Sequence, residues 1–119
     1  MTTTFALWTD HRIGLIEVDG PLDNAAIPML HGAIADAVRR AGTPRVLIVE
    51  DMITAVSEDA ALVLVAEYTA LRARGGNMGL VSTDGNLTQD GRPSSRTLFM
   101  PTYTSLELGF ERLDKDDVL

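Results

Sequence analysis

The run Val46-Leu47-Ile48-Val49 limits the possible folds of this chain more than any other feature. Four consecutive aliphatic residues leave no polar side to face water, so a strand made from them has to be covered on both faces. Following Pro44, the run predicts the centre of a sheet. The rest of the chain must therefore supply layers above and below it.

Upstream, a first strand is expected around Phe5 to Trp8. A second, Ile13 to Val18, carries Ile13, Leu15, Ile16 and Val18, so both of its faces are partly apolar and it belongs inside the sheet. Gly20-Pro21 is expected to end that strand, and Asp23 is placed to cap a helix beginning near Asn24. Ile27, Leu30, Ile34 and Val38 recur at three- and four-residue steps and form one buried stripe on that helix. Pro28 falls near its first turn, Arg39 and Arg40 complement its negative end, and Gly42 stops it.

Downstream, Ser57 to Arg74 predicts a second helix, apolar all round in its early turns. Leu64, Tyr68 and Leu71 continue its core stripe, and Gly75-Gly76 ends it. Met78 to Val81 reads as another short strand. Strands alternating with helices in this order imply parallel pairing through crossover helices. Ser82 to Arg96 reads as a long polar loop with one apolar residue, Leu87, and compact domains rarely keep such loops without cause. Leu98-Phe99-Met100 is expected to be a short strand. Thr104-Ser105-Leu106-Glu107 matches a capping box opening a terminal helix that buries Leu106, Phe110 and Leu113, and Asp114 to Leu119 form an acidic tail expected to fray. The expected fold is α/β: a mixed, largely parallel β-sheet with crossover helices and a C-terminal helix. It forms one domain over residues 1–119, with a core over about 5–113.

Composition narrows the function. A chain of 119 residues with 45% hydrophobic content has the material for one core. Its longest apolar run, Ala60 to Ala66, falls far short of the roughly 20 residues that span a bilayer. The N-terminus lacks a basic region followed by an apolar stretch, so a cytoplasmic protein is expected. The absence of cysteine removes disulfides, thiolate nucleophiles and sulfur-ligated zinc. A net charge of −7, with ten Lys and Arg residues that form no block, argues against nucleic acid. The acidic balance suits a basic partner face and ordinary solubility equally.

No catalytic apparatus is visible. His11, expected in a turn, and His31, expected on a helix beside the apolar stripe, are too isolated to form a ligand set. Glu50-Asp51 and Glu58-Asp59 could flank a metal or act as acid and base, but both pairs fall near element ends, where solvated carboxylates are common. Neither the glycine pattern of a phosphate loop nor a nucleophile elbow occurs. No cofactor or metal is expected. Trp8 is read as a packed aromatic rather than a binding anchor.

Four motifs in order carry a resemblance. They are Gly20-Pro21-Leu22-Asp23 after a strand, and Val46 to Val49 followed by Ile53-Thr54-Ala55-Val56. Next come Arg72-Ala73-Arg74-Gly75-Gly76 before a strand, and Pro101-Thr102-Tyr103-Thr104-Ser105-Leu106. Together they resemble STAS domains of the anti-sigma-factor-antagonist type over Ile13 to Leu113, with Ile53 to Val56 matching the loop after the central strand. The resemblance implies a regulatory protein-binding module without catalysis, whose partner is an anti-sigma factor that is also a kinase. In those antagonists the residues before the second helix read Asp-Ser-Ser-Gly, and the second Ser is phosphorylated. Aligned without gaps from Gly75-Gly76, this chain places Ser57, Glu58, Asp59 and Ala60 there, so Asp59 stands where the phosphorylated Ser would be.

Ser57-Glu58-Asp59 then has two compatible readings. Ser57 is an N-cap and each acid gains about 0.3–1 kcal/mol from the helix dipole; or the carboxylates also fix negative charge where relatives place a phosphate of about −1.5 to −2. Phosphorylation of Ser57 itself is a further reading, disfavoured electrostatically by the adjacent acids. The expected docking face is Asp23, Val56, Ser57, Glu58, Asp59, Ala60 and Ala61. The alternatives are a STAS-like small-ligand or lipid-binding module with the 82–96 loop as a lid, and a structural subunit of a larger STAS assembly. A homodimer is compatible with each.

Overall fold

The computed structural model describes residues 2–83, 88–89, 92–93 and 100–113. Strand β1 (Thr4–Asp10) pairs antiparallel with β2 (Ile13–Leu22), in register from Thr4 opposite Asp19 to Asp10 opposite Ile13. Both residues of the connecting turn have positive φ, 53° at His11 and 61° at Arg12. This geometry matches the twist of the flanking strands but normally favours Asn or Gly. Neighbours brace it: the His11 ring stacks on Phe110 at 4.5 Å between centroids, and the Thr43 hydroxyl donates to the Arg12 carbonyl at 2.5 Å.

A short 3-10 turn (Asn24–Ala26) leads into α1 (Ile27–Ala41), then β3 (Arg45–Val49), β4 (Ile53–Val56), α2 (Glu58–Ala73) and β5 (Asn77–Val81). Residues β6 (Thr88–Gln89) and β7 (Arg92–Pro93) form a small antiparallel ladder, and β8 (Thr102–Tyr103) precedes α3 (Leu106–Arg112). The main sheet runs β1-β2-β3-β5-β8, with every pair after the first parallel, so the mixed, largely parallel sheet is observed with β3 at its centre.

The reason for the central apolar run is now visible. Val46 and Ile48 join one core with Leu30, Ile34, Leu64 and Leu71 of α1 and α2, while Leu47 and Val49 join the opposite core with Tyr103, Leu113 and the flanking Leu106 and Phe110. Both layers come close to the sheet at glycines. A Cβ on Gly14 of β2 would lie 2.7 Å from Ala37 Cβ and from its carbonyl oxygen, and one on Gly109 of α3 would lie 2.8 Å from Leu47 Cδ1. Helix α1 therefore seats on β2 at Gly14, and α3 seats on β3 at Gly109.

Several boundaries differ from the expectation. Gly20-Pro21 does not end β2, which continues to Leu22. Gly20 adopts φ 114° and the pairing with β4 shifts register between Gly20 and Leu22, an irregular site where a proline without an N–H is tolerated. Ile53 to Val56 is not a loop but β4, parallel to the end of β2. The cap of α3 is Ser105 rather than Thr104, its Oγ accepting from the Leu108 N–H at 3.2 Å, so the capping-box spacing to Glu107 is not met. Met100 lies buried in a bend, with the strand following at Thr102; Leu98 and Phe99 lie outside the described residues. So do most of the 82–96 segment and all of 114–119.

The seating of α1 gives a paired expectation. Gly14→Ala should lower stability by about 1–3 kcal/mol, because backbone and not a flexible side chain occupies the space of the new methyl. Gly32→Ala, exposed on α1 with nothing within 4 Å of the new Cβ, should raise it by roughly 0.5–1 kcal/mol through helix propensity. Urea-unfolding midpoints of the two variants, compared with the parent, check both signs.

Candidate functional site

Because β2 outlasts β3, its last residues pair with β4, and β4 leads directly into α2. The Gly20 N–H donates to the Met52 carbonyl at 3.1 Å, and the Ser57 N–H donates to the Leu22 carbonyl at 2.8 Å. The first turn of α2 is thereby tied to the turn between β2 and α1.

At that junction Asp23 is extended and its carboxylate accepts from the Ala26 N–H at 3.1 Å, a cap in the expected position but on the 3-10 turn that precedes α1. Ser57, also extended, accepts at Oγ from the Ala60 N–H at 3.1 Å, as expected of an N-cap. Asn24 connects the two segments. The Ser57 hydroxyl donates to Asn24 Oδ1 at 2.8 Å, and Asn24 Nδ2 donates to Asp59 Oδ2 at 3.0 Å. Asn24 did not emerge from the sequence as a site residue: it stands 33 positions from Ser57 and 35 from Asp59, and no local spacing links them.

The residues expected to dock a partner are thus brought to one edge, with different exposures. Asp23, Glu58 and Asp59 are exposed, while Val56, Ser57 and Ala61 are half-buried. Ala60 is wholly buried and takes part only through its amide. One exposed apolar side chain adjoins the acids. Leu62, 66% exposed, lies one turn beyond Asp59 on the same helix face, whereas Met52, 52% exposed, sits in the turn at the other end of β4. The two acids in the first turn of α2 lie at the positive end of its dipole, a favourable place for negative charge.

Other candidate groups lie apart from this edge. His31 Nδ1 hydrogen-bonds Glu67, joining α1 to α2. The Asp51 carboxylate accepts from the Thr83 N–H at 2.7 Å and from its hydroxyl at 2.5 Å, so the Glu50-Asp51 pair serves the exit from β5 and does not converge with Glu58-Asp59. Among the described residues, no group of three or more His, Asp or Glu side chains could hold a metal, and no helix is long and apolar enough to cross a membrane. Trp8 is partly exposed on β1, the edge strand.

Ser57→Ala should cost about 1–2 kcal/mol, since it removes the cap of α2 and the donor to Asn24 together. Ser57→Thr, which keeps both hydrogen-bonding roles, should stay within roughly 0.5 kcal/mol of the parent. Thermal unfolding of the two variants distinguishes a capping hydroxyl from a merely tolerated polar residue.

A family model for the STAS domain matches residues 5–107. A search of curated protein sequences found no match. Solved structures with the same fold include a protein from Thermotoga maritima provisionally assigned as an anti-sigma factor antagonist, with TM-score 0.72 and 13% identity, covering 92% of this chain and 93% of the other. The anti-sigma factor antagonist SpoIIAA in its unphosphorylated form gives 0.68 and 17%, over 92% and 96%. An anti-sigma factor antagonist from Mycobacterium paratuberculosis gives 0.70 and 18%, over 94% of each chain. At these identities the structures speak for the fold, and the family match agrees with them. The chain belongs to the STAS domain family.

Proposed function

We propose that this STAS domain is an anti-sigma-factor antagonist that acts by binding a protein partner, an anti-sigma factor with a kinase fold, and not by catalysis. It would act in the cytoplasm as a single domain. Its docking edge is formed by Asp23, Val56, Ser57, Glu58, Asp59 and Ala61, with the buried Ala60 holding the cap beneath them. The observation that carries this reading is the cluster at the start of α2: a hydrogen-bonded group of Asn24, Ser57 and Asp59, its exposed acid one turn from the exposed Leu62. Apolar anchors next to oriented charge are what a protein interface uses, the anchors supplying affinity and the charge supplying register and specificity.

In this reading Asp59 takes the place of the phosphorylatable Ser of such antagonists. Its carboxylate gives a charge of −1 that no kinase adds and no phosphatase removes, smaller than the roughly −1.5 to −2 of a phosphate. Ser57 remains a cap, with its proton engaged by Asn24.

The test is to mix the protein with the anti-sigma factor encoded nearest to it, with and without ATP, and to measure complex formation and phosphate transfer. A complex should form, and no phosphate should reach Ser57. Asp59→Lys and Leu62→Asp should each weaken binding by about tenfold or more, a loss of ~1.4 kcal/mol. Glu111→Lys, on α3 at the other face of the sheet, should leave it within about twofold. Phosphate found at Ser57, or affinity indifferent to both α2 substitutions, would overturn the reading. So would a co-purified small molecule in native mass spectrometry with no kinase partner bound, which would favour ligand binding.

A further inference from the structure

We infer that Asn24 is the positioning residue of this edge: its carboxamide reads for an anion at position 59 and locks the turn after β2 to the first turn of α2. The consequence for partner binding rests on the docking role proposed above, whereas the lock itself is a property of the folded chain.

The direction of the hydrogen bonds carries the argument. Ser57 Oγ accepts from the Ala60 N–H and donates its single proton to Asn24 Oδ1. The Nδ2 group of the same carboxamide faces Asp59 Oδ2 at 3.0 Å, and this contact fixes which end of the amide faces Ser57. An ionised carboxylate can only accept, so donor meets acceptor there. The flipped amide would set oxygen against carboxylate. Donation therefore runs one way, from the Ala60 N–H to Ser57, from Ser57 to Asn24, and from Asn24 to Asp59. The chain begins at the positive end of the α2 dipole and finishes on an anion, and in such a chain each donor polarises the next.

Two consequences follow for position 59. A basic side chain would meet the Asn24 donor with another donor, and pairing them would require the amide to turn over and give up the Ser57 O–H donation. An acid closes it permanently and holds the exposed Asp59 carboxylate toward the β2–α1 turn instead of letting it sample solvent. The backbone reporters of closure are the Ala26 N–H, bonded to Asp23, and the Ser57 N–H, bonded to Leu22.

The experiment is amide hydrogen exchange on the whole chain, read at Ala26 and Ser57, for Asn24→Ala, Asp59→Ala and the double variant. Asn24→Ala should lower protection at both amides about fivefold and Asp59→Ala by less, since the Ser57–Asn24 bond remains; the double should lower it no further than Asn24→Ala, which already removes the bond to Asp59. Asn24→Asp adds a pH signature that a purely structural residue would lack. Two facing carboxylates should open the lock at neutral pH, and protection should return in acid, where the pair can share a proton. Unchanged protection in Asn24→Ala, additive losses in the double variant, or no pH response in Asn24→Asp would each overturn the lock, whatever the partner does. If protection falls as expected but affinity for the anti-sigma factor stays the same in Asn24→Ala, the lock stands and the docking role of this edge is what fails.

Discussion

The hydrogen bond from the Ser57 amide to the Leu22 carbonyl, 2.8 Å long, ties the end of the second strand to the start of the second helix. It exists because β2 is ten residues long and its neighbour is made in two pieces. Strand β3 pairs with β2 from Gly14 to Glu17, the chain turns at residues 50–52, and β4 takes up pairing at Gly20. The turn is itself pinned, by the bonds from Gly20 N–H to the Met52 carbonyl and from Ile53 N–H to the Glu50 carbonyl. Helix α2 therefore starts beside the β2–α1 turn, which brings Asn24 within reach of two side chains more than thirty positions away.

Stability and the proposed docking edge draw on different parts of this arrangement. Strand β3 is buried on both faces, and the layers above and below it seat at Gly14 and Gly109, where one added methyl would strike Ala37 or Leu47. Core contacts of this kind typically cost about 2–5 kcal/mol when truncated. The hydrogen bonds of the Asn24 cluster are exposed, and each contributes only about 0.5–1.5 kcal/mol or less. The edge can therefore change its residues without unfolding the domain. What selects them is what they hold in place.

The parts legible in the sequence were those fixed by local spacing. The run at Val46, the stripe through Leu30 and Ile34, the caps at Asp23 and Ser57 and the stop at Gly42 all follow from neighbours within a few positions. The parts that were not legible depend on distant pairing. Gly20-Pro21 looks like a strand end, and only β4 alongside it, with a shifted register, keeps the strand going to Leu22. Thr104 and Ser105 both suit a cap, and the choice falls to Ser105 because β8 still occupies Thr102 and Tyr103 and the helix begins at Leu106. Asn24 follows a good capping residue and shows nothing unusual in sequence; its role appears once β4 has brought Ser57 next to it.

The same geometry separates two demands that the first turn of α2 could have met with one residue. Capping is satisfied by Ser57, whose hydroxyl serves the Ala60 amide. Asp59 is not needed as a cap, and its interaction with the helix dipole adds only about 0.3–1 kcal/mol. Its more specific contact is with Asn24, a donor on another element. A carboxylate there has two accepting oxygens and a charge that does not depend on modification, whereas a serine hydroxyl would be neutral and shorter. In the antagonist reading, a chain that caps with one residue and carries charge with another can lose phosphorylation at position 59 while its helix start stays intact, provided a donor such as Asn24 keeps the substituted charge in place.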